Sequence, residues 1–339
     1  MTLLIILSIN NHLTSPFYLA VLGNCDLLSG LKENCLMKNL LSISDLTNNQ
    51  IKNLILLAKD LKAGKKISEH SLKNKSLALL FEKPSLRTRA SFELGIKQLG
   101  GNCVYLDNNN IGMGNREPVK DIANVLDRWF DGIIARVFDH ETLTLLEESC
   151  SIPIINALSD IEHPCQALSD MLTIDEKLGH IENTKIVFIG DGNNVAISLA
   201  LCAAALGVNF TMCSPEKYKI DGAIWKTALA QAQKTGSNLE WNQNPHAAVE
   251  KADVIYTDVW VSMGDEDQSK QRIQDFGGYQ VTPEIINLAK NEAIFMHDMP
   301  AHDGEEISSG LLYHPQSVVF DQAENRLHMQ KAILSSLLK

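Results

Sequence analysis

Positive charge is scarce in this 339-residue chain: 30 lysines and arginines face 41 aspartates and glutamates, for a net charge of −11. That deficit argues against a nucleic-acid or anionic-membrane partner, and an anionic ligand needs a local concentration of arginine. Long apolar runs are also missing; the run from Leu3 to Ile9 is too short to span a bilayer. No lysine or arginine precedes Lys32, so the basic start of a signal or transit peptide is absent. The seven cysteines (Cys25, Cys35, Cys103, Cys150, Cys165, Cys202 and Cys213) are odd in number and lack metal-ligand spacing. They suit free thiols in a reducing cytoplasm. No internal repeat or low-complexity linker interrupts the chain. With 45% hydrophobic and 21% charged residues the composition is globular, and the length suggests two domains.

Short apolar runs alternate with helical spacing. Thr47 to Leu61 places Ile51, Leu54, Leu57 and Leu61 on one helical face. Ser76 to Phe81 reads as a buried strand, and the helix after it closes at Gly100-Gly101. Cys103 to Leu106 is a strand, Asp107 to Glu117 a polar loop and Val119 to Trp129 a helix. Gly132 to Ala135 is a short strand ending at Arg136, and Ile154 to Ala157 leads to the loop before His163. A helix follows from Gln166 to Leu178. The second half starts near Lys185, with strands at Ile186–Ile189, Asn209–Met212, Val254–Thr257 and Ile294–Met296, and a helix at Ile197–Leu206. The last helix, Ala323 to Leu338, is expected to cross back to the first domain. This alternation predicts an α/β fold of two domains, each a mostly parallel sheet with helices on both faces, joined by interdomain helices.

The segment from Phe81 to Phe92, FEKPSLRTRASF, carries the first chemical signal. A strand breaks at Pro84-Ser85 and a helix opens near Thr88. A helix N-terminus offers free N–H groups and a positive dipole end, so Arg87 and Arg89 placed there make a receptor for a compact anion such as phosphate. The alternative is a capped helix with two arginines in surface ion pairs. Arg136 stands where a strand ends, a usual active-site position in open parallel sheets. In His163-Pro164-Cys165-Gln166, the histidine can donate to a carbonyl oxygen and the glutamine can bind an amide edge.

Gly190-Asp191-Gly192-Asn193-Asn194 is an incomplete dinucleotide fingerprint, with Val195 in the third glycine position. Asp258, after a strand, can pair with an α-ammonium, and Ser262-Met263-Gly264 can present a hydroxyl and N–H groups to an amino acid. Asp298 can position an ammonium or accept its proton, while also stabilising the charged, non-nucleophilic amine. His297 and His302 suggest a metal, but no third ligand is evident, so none is expected.

Taken together, these motifs resemble the aspartate/ornithine carbamoyltransferase family. Ser85-Leu86-Arg87-Thr88-Arg89 resembles its carbamoyl-phosphate signature, with Leu86 where threonine is common. His163-Pro164-Cys165-Gln166 is similar to its His-Pro-x-Gln, and Gly190 to Asn194 and Ser262 to Gly264 resemble the turns of its ornithine-acting members. The resemblance begins at Met37, and residues 1–36 are expected to be a dispensable extension. It implies a carbamoyl-phosphate domain over residues 37–175, an ornithine domain over 176–322 and a returning helix over 323–339.

Ser85, Leu86, Arg87, Thr88, Arg136, His163, Gln166, Asp298, Met299 and Arg326 are implied to hold carbamoyl phosphate. Thr88, Arg136, His163 and Asp298 are implied to be catalytic, and Asn194, Asp258, Ser262 and Met263 to hold ornithine. The implied reaction yields L-citrulline and phosphate, in arginine synthesis or breakdown, with no cofactor or metal. A homotrimer, or a multiple of it, is implied, with the loop from Gly112 to Glu117 reaching a neighbour. Three departures stand out: Asp298 where cysteine is usual, Asp303 where arginine is common and Gly112 where glutamine is common. Asp298 and Leu86 leave open another amine acceptor, and the aspartate at 298 a non-catalytic binding protein. A nicotinamide-dependent oxidoreductase is the remaining alternative.

Overall fold

The computed structural model describes residues 37–65, 70–107, 111–114, 116–262, 264 and 266–338. The expected extension over residues 1–36 lies outside the described residues, as does Met263.

In chain order the elements are α1 (Asn48–Lys62), β1 (Ser76–Phe81), α2 (Leu86–Gln98), β2 (Asn102–Asp107), α3 (Val119–Trp129), β3 (Gly132–Arg136), α4 (His140–Ser149), β4 (Ile154–Leu158) and α5 (Pro164–Leu178). Then follow β5 (Lys185–Ile189), α6 (Asn194–Leu206), β6 (Asn209–Cys213), α7 (Gly222–Thr235), β7 (Leu239–Asn242), α8 (Pro245–Ala248) and β8 (Val254–Thr257). The chain closes with α9 (Ser269–Asp275), α10 (Pro283–Asn287), β9 (Ile294–His297) and α11 (Val319–Leu337).

Two sheets form, in strand orders β2-β1-β3-β4 and β7-β6-β5-β8-β9, and every pairing is parallel. Helices cover both faces, which explains why the central strands are apolar without alternation. In β1, Leu77 through Phe81 are all buried, and so is every residue of β3 and β8. One core runs from Leu79 and Phe92 through Leu168 and Leu172 on α5 to Phe188 and Tyr256, whose rings stack at 5.4 Å. The last helix buries Met329, Ala332, Ile333 and Leu334 in this core. It touches α2, where Lys331 Nζ donates to Gln98 Oε1 at 3.0 Å.

The helix after β1 begins at Leu86, earlier than the Thr88 start expected, because Ser85 Oγ accepts the Thr88 N–H at 3.3 Å and caps it. Six elements were not expected: α4, α7, β7, α8, α9 and α10. Helix α4 buries only Leu143 and Leu146, and edge strand β7 buries only Leu239, so neither carries a strong apolar pattern. Among the described residues no helix is long and apolar enough to cross a membrane.

Strand order reverses between β1 and β3 in the first sheet and between β5 and β8 in the second. Ligands of open parallel sheets bind beyond the carboxyl ends of the strands at such reversals. Ser85 and Arg136 follow from the first reversal, Asn194 and Asp258 from the second.

Candidate active site

A cleft of about 400 Å³ opens at these strand ends. Its wall includes Ser85, Leu86, Arg87, Thr88, Arg136, His163, Asn194, Asp258, Ser262, Asp298, Met299 and Arg326. Of the site residues expected from sequence, Gln166 does not line it and Met263 is not described.

The basic wall comes from the first sheet and from α11. Ser85 caps α2, whose N-terminus therefore faces the cleft. Arg326 reaches back from α11 and donates through Nη2 to Thr88 Oγ1 at 2.7 Å. Arg136 ends β3 and is 5% exposed. Burial, Arg326 and Arg87 lower its pKa to about 10, although Asp298 opposes them. It remains cationic at neutral pH, crowded by like charges. Both Arg136 Nε and Arg326 Nε are buried without a hydrogen-bond partner.

Arg89 corrects the expected receptor. Its Nε pairs with Glu93 at 2.7 Å and its guanidinium lies 3.7 Å from the Tyr105 ring centroid, so it does not serve the cleft. Lys83 lines the wall instead, a residue the sequence reasoning passed over. Its ammonium sits 4.6 Å from the Phe138 ring centroid, and burial and Arg136 lower its pKa. Its place between the strand and Pro84 was the available signal.

His163 precedes the first turn of α5 and is buried. Its backbone N–H donates to Ser198 Oγ at 2.8 Å. Burial, then Arg326 and Arg136, push its pKa well below the usual histidine range, so the ring is neutral. A neutral imidazole keeps one N–H to donate. Gln166 lies behind this wall, with Nε2 donating to Asp170 Oδ1 at 2.8 Å.

The acidic wall comes from the second sheet. Asn193 caps α6 and donates from Nδ2 to Asp258 Oδ2 at 2.7 Å. This fixes Asp258, a task the motif reading did not assign to Asn193. Asn194 lines the cleft, but its Nδ2 donates to the Ser159 carbonyl at 2.6 Å. A Cβ at Gly192 would lie 2.4 Å from Ile220 N, so the glycine turn is filled by protein backbone. That close approach explains the glycine without a dinucleotide.

Asp258 and Asp298 end neighbouring strands. Burial, then the Asp298 charge, push the Asp258 pKa well above the carboxylate range, so the pair retains one proton on Asp258. Asp298, His297 and Asp258 offer donor atoms within 4.8 Å of one another, which corrects the expectation that a third metal donor is missing. The histidine is nevertheless engaged on both sides. Its Nε2 meets Glu306 Oε1 at 3.1 Å, and the Met299 N–H donates to Nδ1 at 2.9 Å. Asp298 and Glu306 favour a charged ring against burial. The Met299 N–H needs a lone pair at Nδ1, so we take the ring as neutral, with no lone pair left for a metal. In the second donor group, His302 Nδ1 lies 3.7 Å from a Glu305 carboxylate oxygen and 4.0 Å from one of Glu306.

Two parallel-sheet halves that meet across one cleft, basic on one wall and acidic on the other, define an α/β enzyme suited to holding an anion and an amine together. Residues 38–176 match the carbamoyl-P binding domain, and residues 182–337 the Asp/Orn binding domain, of aspartate/ornithine carbamoyltransferase. The chain belongs to the aspartate/ornithine carbamoyltransferase family.

It is 48% identical over 303 residues to the ornithine carbamoyltransferase of Methanosphaera stadtmanae, covering 89% of this chain and 100% of that one. With the ornithine carbamoyltransferase of Thermococcus kodakarensis it shares 46% over 303 residues, 89% of this chain and 96% of the other. The solved structure of ornithine carbamoyltransferase from Pyrococcus furiosus superposes with a TM-score of 0.86 at 43% identity, covering 89% and 97% of the two chains.

Proposed function

We propose that this protein transfers the carbamoyl group of carbamoyl phosphate to the δ-amine of L-ornithine, giving L-citrulline and phosphate. The observation that carries the reading is the crowding of Arg87, Arg136 and Arg326 at the capped end of α2, across the cleft from Asp258 and Asp298. Like charges packed together in a buried site favour a bound anion.

Ser85, Leu86, Arg87, Thr88 and Arg326 hold the phosphate. Asn194, Asp258, Ser262 and Met263 hold the α-amino and carboxylate groups of ornithine. The neutral δ-amine attacks the carbamoyl carbon; Arg136, Thr88 and neutral His163 stabilise the oxyanion. A C–N bond forms, the C–O bond to phosphate breaks, and phosphate leaves with that electron pair and accepts the amine proton. No protein base is required, and aligning the two substrates supplies much of the acceleration. Gln166 and the Met299 carbonyl meet the carbamoyl nitrogen, and Asp298 faces the reacting amine. Residues 37–175 form the carbamoyl-phosphate domain and 176–322 the ornithine domain.

Citrulline formation by the full chain with both substrates, from pH 6 to 10, tests this. Folded protein that binds carbamoyl phosphate but makes no citrulline overturns it. A second reading, another amine acceptor such as a diamine, is favoured by Asp298, a carboxylate that lines the cleft. Turnover of putrescine or lysine above ornithine decides for that reading.

The assembly we expect is a homotrimer or a multiple of it. Leu86, which lines the cleft, is 80% exposed, and Leu94 on the same helix and Val104 on β2 are 47% and 49% exposed, which supports burial against another copy. A monomer by light scattering that keeps full activity excludes it.

A further inference from the structure

Asp170 lies fully buried one turn beyond Gln166 on α5, and no step above uses it. Its Oδ1 accepts Gln166 Nε2 at 2.8 Å and Gln322 Nε2 at 2.8 Å. Its Oδ2 accepts the Tyr256 hydroxyl at 3.0 Å. Gln322 in turn accepts, through Oε1, the His297 backbone N–H at 3.0 Å. One carboxyl group therefore joins α5, α11, β8 and β9, and it reaches the turn that carries Asp298 and Met299.

A carboxylate oxygen only accepts hydrogen bonds, so Asp170 makes Gln166 turn its amide nitrogen inward. Gln166 Oε1 is then left buried with no hydrogen-bond partner. A buried carbonyl oxygen without a donor is costly, and the feature calls for an N–H from a ligand. His163, which lines the cleft, is on the same first turn of α5 and accepts the Gln166 backbone N–H at 3.0 Å.

We infer that Asp170 is a positioning residue: it sets the Gln166 amide so that Oε1 receives the amide nitrogen of the carbamoyl donor, and through Gln322 it keeps the 297–300 turn in register with that group. The inference rests on the proposed carbamoyl transfer. It makes Asp170 the source of discrimination between a donor bearing NH₂ and one bearing CH₃. Burial pushes the Asp170 pKa up to about 7 against its hydrogen-bond donors. A proton on Oδ2 turns the Tyr256 bond around, with the tyrosine oxygen accepting, and leaves Oδ1 free, so the bonds from both glutamines survive titration.

The test compares the full-length wild type with Asp170→Asn, Asp170→Leu and Gln322→Met. Calorimetry reads affinity for carbamoyl phosphate against acetyl phosphate, and steady-state assays read KM for each substrate. The wild type is expected to prefer carbamoyl phosphate by about tenfold or more. Asp170→Asn keeps an accepting oxygen toward both glutamines and retains the preference. Asp170→Leu loses it while still binding acetyl phosphate. Gln322→Met keeps it and raises KM for the amine.

A folded Asp170→Leu protein with wild-type preference overturns the inference, as does an Asp170→Asn protein that loses as much as the leucine variant. Should leucine prevent folding, Asp170→Ala must lose the preference in its place, and retention overturns the inference. Citrulline formation by the wild type tests the underlying reaction separately. A wild type that turns over ornithine but binds both phosphates equally sinks the inference alone.

Discussion

Thr88 Oγ1 accepts a 2.7 Å hydrogen bond from Arg326 Nη2 across a sequence separation of 238 residues. Both side chains are buried, Thr88 at 1% and Arg326 at 4% exposure. The first turn of α2 and the body of α11 are thus one structure, and α11 is part of the cleft wall. Thr88→Val keeps the shape and removes the acceptor. Loss of a hydrogen bond to a charged group costs about 1.5–3 kcal/mol, so kcat/KM for carbamoyl phosphate should fall roughly 10- to 100-fold. Arg87→Ala should cost at least as much, through lost charge at the same wall. Near-unchanged turnover in the arginine variant would overturn the phosphate assignment.

Asp298 lines the cleft beside Asp258, and its charge helps to keep the proton on Asp258. Cysteine at 298 removes the neighbouring negative charge. Asp258 then ionises more readily, because Asp298 is one of the two main causes of its raised pKa. Asp298→Cys should keep or raise activity with ornithine, and the acid limb of kcat/KM for ornithine should move to lower pH. Steady-state profiles of the two proteins measure this directly. A dead variant would mean that Asp298 has its own chemical role.

Strands Ser76–Phe81 and Val254–Thr257 were legible because a strand buried on both faces is a short apolar run bounded by turn residues. Helix α4 and strand β7 were not, since each rests on one or two buried side chains. The site was legible where a motif fixes both a strand end and a helix cap, as at Ser85 and Asn193-Asn194. Arg89 was misread by proximity alone. Residues two apart on a helix point to different faces, so Arg87 and Arg89 cannot both serve one ligand, and Arg89 pairs with Glu93 one turn on. The hydrogen-bond network of Asp170 was hidden because its partners Gln322 and Tyr256 are distant in the chain.

Gly192 separates a packing requirement from a nucleotide requirement. An alanine Cβ there would meet Ile220 N at 2.4 Å and the Lys219 carbonyl carbon at 2.5 Å, both of them backbone. Overpacking of this kind costs about 1–3 kcal/mol. Gly192→Ala should lower Tm by at least about 2 °C. It should also raise KM for ornithine, because Asn193 beside it holds Asp258. A variant with unchanged melting would show that the 190–194 turn is looser than its contacts indicate.

Asp170 also makes stability depend on pH, with a definite sign. Burial raises its pKa in the folded protein to about 7 from an ordinary value of 3.8, against hydrogen bonds from Gln166 and Gln322 that act the other way. Between those values the folded protein holds a proton that the unfolded chain has released. Stability therefore falls as pH rises through this window, and the loss is complete above about pH 7. A shift of that size corresponds to roughly 4 kcal/mol. Asparagine carries no such charge while it preserves an acceptor for both glutamines. Asp170→Asn should gain stability over the wild type at pH 8, and that gain should shrink toward pH 4. Urea midpoints at the two pH values measure it; an equal difference at both would mean that Asp170 ionises in the folded core as readily as in the unfolded chain.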